Sequence, residues 1–154
     1  MPKASTIVVA LIVSVLGGAS AFGGEFGSTQ EAKKLLDRAV SEMRIDKLKA
    51  ITKFNYNDPL FRDRDLFVFC FNKADGKFTA HEAMVGWDVR TLHDIWGSPF
   101  GEEMFAVKDG EMIEVTYLWP VPGSTMLSPR RAYVAGIGDQ ACGVSAYLAG
   151  VERD

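Results

Sequence analysis

The chain has 154 residues, 47% of them apolar and 24% charged, with 15 glycines and a formal net charge of −3, which suits one compact domain and not two. These fractions exclude a disordered chain, a collagen-like repeat and a disulfide-dense mini-protein. There is no solenoid or propeller period, no heptad run for a coiled coil and no basic stripe for nucleic acid.

The apolar residues are unevenly spread. Residues 1–3 carry a positive charge, residues 7–16 are an apolar run broken only by Ser14, and Ala19-Ser20-Ala21 is an A-x-A site. This is the pattern of a secretory signal peptide over residues 1–21. The run is about half of the roughly 20 apolar residues a membrane-spanning helix needs. Export, in a bacterium to the periplasm, is therefore predicted, with an uncleaved membrane anchor as the alternative. Cleavage would remove Lys3 and no acidic residue, leaving a mildly acidic mature chain.

Residues 22–28 read as a flexible lead-in. Ser28 followed by Glu31 is a capping box, and Ala32, Leu35, Leu36, Ala39, Val40, Met43 and Leu48 recur at three- and four-residue steps. That spacing predicts one long amphipathic helix over residues 29–52. Residues 55–65 read as a polar loop containing a proline. The six apolar residues 66–71 predict a strand covered on both faces, near the middle of a sheet. A turn over 72–76 leads to a return strand over 77–81. Residues 82–98 read as a loop with short helical turns, and 99–107 as a short helix opened by Pro99. In the strand over 111–119, Ile113, Val115, Tyr117 and Trp119 share one face. A loop over 120–129, with three prolines, precedes two final strands over 130–137 and 141–148. The order predicts an α+β domain with a long N-terminal helix and one mainly antiparallel, five-stranded sheet.

Catalytic signatures are absent: there is no GxSxG, HExxH, phosphate-binding glycine loop, GxGxxG or EF-hand loop. His81 and His93 are the only histidines, too few for a histidine-built zinc site and not at i, i+4 spacing. Neither an enzyme, a metal nor a cofactor is expected. Cys70 and Cys142 match neither CxxC nor CxxCH. After export they can pair, and two buried thiols acting as small hydrophobes fit equally well.

Tyr117 and Trp119 on one strand face, followed by Arg130, Arg131 and Tyr133, combine an aromatic wall with hydroxyls and guanidinium groups. That is what a small carboxylate needs: apolar lining for its carbons and a forked donor for its charged end. The competing reading is an aromatic core beside a solvated arginine edge. His81 is a further candidate hydrogen-bonding group, with a satisfied structural histidine as its competing reading.

The segments LFVFCFNKADGKFTAH, VGWDVRTL, GSPFGEEMF, VTYLWPVPGS with SPRRAYV, and GDQACGVSAYL resemble the single Cache domain (sCache_2 type), the PAS-like extracellular sensor module of bacterial chemoreceptors and kinases. The resemblance runs from about Gln30 to Leu148. Its most specific part is YLWPVPGS followed by PRRAYV, which is similar to the family's Y-x-W-P-x-P-G-S and P-K-x-x-Y-V. It implies a long N-terminal helix packed on a five-stranded antiparallel sheet whose first and last strands are central neighbours. It also implies a pocket on the other sheet face for small organic acids or similar metabolites. Carried across, the pattern gives Tyr117, Trp119 and Tyr133, with Arg130 in place of the usual lysine, while strict alternation puts Arg131 on the face of Tyr133. The stretch after His81 lacks the family's proline. The implied topology makes Cys70 and Cys142 cross-strand neighbours, which favours a disulfide.

The expected domain is a single Cache domain over residues 29–150. No second membrane helix, kinase or coiled coil follows Asp154, so a separate membrane sensor kinase or chemoreceptor is the expected partner, and nucleic acid is not. The alternative is an assembly module whose pocket is vestigial and which docks on a membrane sensor.

Overall fold

The computed structural model describes residues 24–148, so the expected signal peptide, or membrane anchor, lies outside the described residues. Ser28 and Glu31 cap the first helix reciprocally: Ser28 N–H donates to Glu31 Oε2 at 2.7 Å and Glu31 N–H to Ser28 Oγ at 3.2 Å. Helix α1, Thr29–Ile45, buries Ala32, Leu35, Leu36, Ala39 and Met43. The single helix expected over 29–52 is in fact two. Asp46 takes an extended backbone (φ −154°, ψ 98°) and accepts from Lys49 N–H at 3.0 Å, starting α2, Lys47–Asn55. Aspartate serves better as a cap than inside a helix. The break turns Ala50 and Phe54 onto the core and leaves Leu48, counted in the helical stripe, 74% exposed.

The polar segment over 55–65 holds a two-residue strand, β1, Arg62–Asp63, paired with β2, Leu66–Asn72. Then come β3, Phe78–Ala80, a 3₁₀ turn, Val89–Thr91, and helix α3, Phe100–Phe105. Strands β4, Met112–Pro120, β5, Leu127–Ile137, and β6, Gln140–Tyr147, complete the sheet. It is antiparallel, in the order β1-β2-β6-β5-β4, with β3 also against β2. The sheet therefore has six strands rather than five, the extra one too short to show any periodicity. The loop expected over 120–129 shrinks to 121–126, because Pro120 pairs opposite Leu127. Pro120 is tolerated because β4 is an edge strand, where a missing N–H breaks no ladder. No helix among the described residues is long and apolar enough to cross a membrane.

Strand β2 serves two layers. Leu66, Val68 and Cys70 join the core under α1, while Phe69 and Phe71 join a second core on the other face. Cys70 opposes Cys142 across β2 and β6 with Cα atoms 4.0 Å apart, and the two fully buried residues form a disulfide. Gly143 on β6 makes room for Phe69, since a Cβ there would lie 2.3 Å from the ring.

The lead-in is tied to the sheet edge. Arg64 Nη1 donates to Gly24 O at 3.0 Å and Phe26 O at 3.1 Å, and Gly27 N–H donates to Asp65 Oδ1 at 2.7 Å. The Phe26 ring meets Tyr147 edge-on at 5.4 Å.

Candidate functional site

A cavity of about 70 Å³ opens on the sheet face away from α1. Its walls are Phe67 and Phe69 of β2, Phe78 of β3, His81, Met84 and Leu92 of the following loop, and Phe100 and Met104 of α3. Tyr117 and Trp119 of β4, Arg130 of β5 and Ser145 of β6 complete it. One water needs roughly 10–15 Å³ on this scale. The space suits a molecule of a few non-hydrogen atoms.

Strand alternation aims Tyr117 and Trp119 the same way, and α3 lays Phe100 between them. Phe100 stacks on Tyr117 at 4.1 Å and 7°, and Trp119 meets both rings edge-on at 5.8 and 5.9 Å. Tyr117 donates its hydroxyl proton to Ser145 Oγ at 3.0 Å, and burial pushes its phenol pKa up, so it stays neutral.

Arg130 is 8% exposed and lies between Tyr117 and Tyr147 in the strand register. Its guanidinium stands over the Tyr147 ring at 4.8 Å. Nη2 reaches Asp65 O and Ser145 O only at 3.4 Å, longer than a good hydrogen bond. Among the described residues, no group accepts from its buried Nε. A guanidinium has five donors and no acceptor, so a buried N–H left unpaired is costly unless something accepts from it.

His81 Nδ1 accepts from Ala83 N–H at 3.0 Å and Met84 N–H at 3.2 Å, which places the ring proton on Nε2. The ring packs against Phe67 and Phe78 at 5.1 and 4.8 Å. Burial, opposed by Glu82 and reinforced by Arg130, lowers its pKa from 6.5 to about 4. His81 is thus a neutral donor at neutral pH. Between those two values the unfolded chain holds more protons at this site than the folded one, so this contribution to stability is lost as pH falls from about 6.5 to about 4. Urea unfolding of wild type and His81→Gln across that range should show the wild-type stability falling relative to the variant as pH drops. A constant difference would refute this account.

Among the described residues, no three His, Cys, Asp or Glu side chains are grouped so as to hold a metal ion. No family model matches the chain, and no curated protein does. Solved structures do match. A methyl-accepting chemotaxis protein from Vibrio parahaemolyticus superposes with a TM-score of 0.60 at 17% identity, over 78% of this chain and 88% of that one. A periplasmic sensor domain of a chemotaxis protein gives 0.57 at 19% identity, over 77% and 89%. A Cache chemosensory domain, described for its recognition of carboxylic acids, gives 0.54 at 20% identity, over 77% and 87%. The chain has the fold of a single Cache-like sensor domain.

This Cache-like domain gathers Tyr117, Trp119, Arg130 and His81 around one cavity and places Arg131 and Tyr133 on the opposite sheet face. Tyr133 is buried beneath α1 with Lys33 Nζ 4.8 Å from its ring. Arg131 bonds Thr116 Oγ1 at 3.2 Å and faces Glu114 at 3.5 Å. Residues 130 and 131 have opposite parity in β5, so both cannot face one ligand. Sequence reasoning missed Ser145 and Phe100. Ser145 had one signal, being the lone aliphatic hydroxyl in β6, two residues from Gly143. Phe100 had none beyond its place in an amphipathic turn.

Proposed function

We propose that this chain is an exported, single Cache sensor domain of the sCache_2 type that binds a short carboxylate in the cavity beside Arg130. The observation that carries this reading is the buried guanidinium at the wall of a small, mostly apolar cavity, whose Nε has no acceptor among the described residues. Turned toward the cavity, the guanidinium would offer Nε and Nη2 together to a carboxylate, a charge-assisted forked contact. Its few carbons would lie against Trp119, Phe69 and Met104, and Ser145 and His81 Nε2 offer further hydrogen bonds. Arg131 and Tyr133 would support the fold from the other face. Catalysis is not part of the reading, because His81 Nδ1 already accepts two backbone N–H groups and cannot serve as base to Ser145. Recognition of carboxylic acids by one structurally similar Cache domain supports the ligand class. On this reading the signal peptide directs export, and a membrane chemoreceptor or sensor kinase reads the occupied state.

Isothermal titration of the full chain with sodium acetate, propionate and pyruvate tests the reading. We expect at least one to bind in the micromolar to low millimolar range, with ethanol and methylamine inert. No binding by any of the three at millimolar concentration would overturn it. One observation favours the second reading, a docking module: Ile45 and Leu48 stand 80% and 74% exposed around the helix break. That reading predicts recovery of a sensor kinase on the immobilised chain whether or not carboxylate is present.

A further inference from the structure

Asp65, just before β2, holds a carboxylate of the chain itself against the same guanidinium. Its Oδ2 stands 4.0 Å from Arg130 Nη2, with each side chain about 10% exposed. Like Arg130 Nε, Oδ2 is buried and has no hydrogen-bond partner among the described residues. Its Oδ1 accepts from Gly27 N–H at 2.7 Å. The charged and titratable groups around it are Arg130 on β5, Arg64 at the corner before it, and Tyr147 on β6. Arg64 is already committed, with Nη2 2.7 Å from Glu31 and 2.8 Å from Asp63. Tyr147 donates its hydroxyl to Pro120 O. Arg130 is therefore the buried cation on which the unpaired oxygen of Asp65 depends. Burial already favours the protonated acid, against the pull of Gly27 N–H and Arg130.

The inference rests on the reading that a ligand carboxylate takes Arg130. Two carboxylates would then share one guanidinium, with the side chains of Asp65 and Arg130 each only about 10% exposed. The extra negative charge has no second cation to meet it, and like charges so placed cannot both stay ionised. We propose that Asp65 is an internal competitor for Arg130, and that a ligand carboxylate displaces it only as Asp65 takes up a proton from solvent. The proton adds to Oδ2 and forms an O–H bond there. Oδ1 keeps its bond from Gly27, and Nε and Nη2 turn to the ligand. The domain then reports carboxylate and acidity jointly, and Asp65 sets how much ligand is required at a given pH.

Titration of the full chain with sodium acetate, propionate and pyruvate, in two buffers of different ionisation enthalpy, counts the protons taken up on binding. Wild type should take up as much as one proton per carboxylate, and affinity should rise by up to about tenfold for each unit fall in pH. Asp65→Asn, which retains an oxygen for Gly27 N–H, should bind more tightly at neutral pH and take up no proton. His81→Gln removes a hydrogen bond to the ligand and tests a second titratable group on the wall; it should weaken binding and leave unchanged the protons taken up per carboxylate bound. Arg130-dependent binding with no proton uptake in wild type would overturn the proposal alone. So would an equal count in Asp65→Asn, or a count lost in His81→Gln. Failure of all three acids to bind would overturn it together with the ligand reading.

Discussion

Replacing Arg130 with alanine is expected to eliminate binding of short carboxylates and also to destabilise the empty protein. Hydrogen bonds to charged groups contribute about 1.5–3 kcal/mol each. Losing a fork made by Nε and Nη2 should weaken binding by roughly 100-fold or more, beyond the range of a millimolar titration. The stability loss has a separate origin. Asp65 would remain buried without its cation, and breaking a buried pair in this way costs about 3–5 kcal/mol. The lower end is expected here, because the pair is 4.0 Å apart and Asp65 can take a proton. Packing of the guanidinium over Tyr147 is lost as well. Adding Asp65→Asn should restore much of the stability and none of the binding. Urea unfolding and calorimetric titration of the single and double variants separate the two effects. An Arg130→Ala protein that bound acetate like wild type would end the carboxylate reading.

The second large effect belongs to the disulfide. Cys70 and Cys142 are 72 residues apart in sequence. Closing a loop of that length in the unfolded chain is worth about 4 kcal/mol by the chain-entropy relation. Both residues are fully buried beneath α1, so reduction also leaves two thiols in an apolar layer. The Cys70→Ala/Cys142→Ala variant should unfold with a free energy lower by about 4 kcal/mol, a large share of the roughly 5–15 kcal/mol that holds a domain folded. Urea midpoints with and without reductant check this. A loss under about 1 kcal/mol would show that ring closure contributes little here.

Much of the fold was legible because burial writes itself into spacing. The three- and four-residue steps from Ala32 to Met43 located α1, and the run from Leu66 to Phe71 marked a strand packed on both sides. Alternation along β4 put Tyr117 and Trp119 on one face, where they are found. The break at Asp46 was obscured because Leu48 prolonged the apolar stripe while the capping aspartate interrupted the backbone. Parity in β5 was readable, and it separated Arg130 from Tyr133. What parity could not supply was which face carried the cavity, since both faces of a central strand are apolar. The position of Asp65 was hidden for a plainer reason. Its surroundings are set by Gly27 and by Arg130, 65 residues further on, and no local pattern records such an encounter.

Strand β2 is hydrogen-bonded along its length to β6, a strand that begins 68 residues after β2 ends, at Gln140. While the chain is being made, β3 can cover one edge of β2, but the edge that faces β6 stays open until residues 140–147 have emerged. Contacts so distant in sequence slow folding, because loop closure precedes any reward from packing. A chain interrupted before β6 would leave Phe69 and Phe71 beside an open strand edge, a template for aggregation. Completion of the sheet thus waits on β6, which joins β2 to β5.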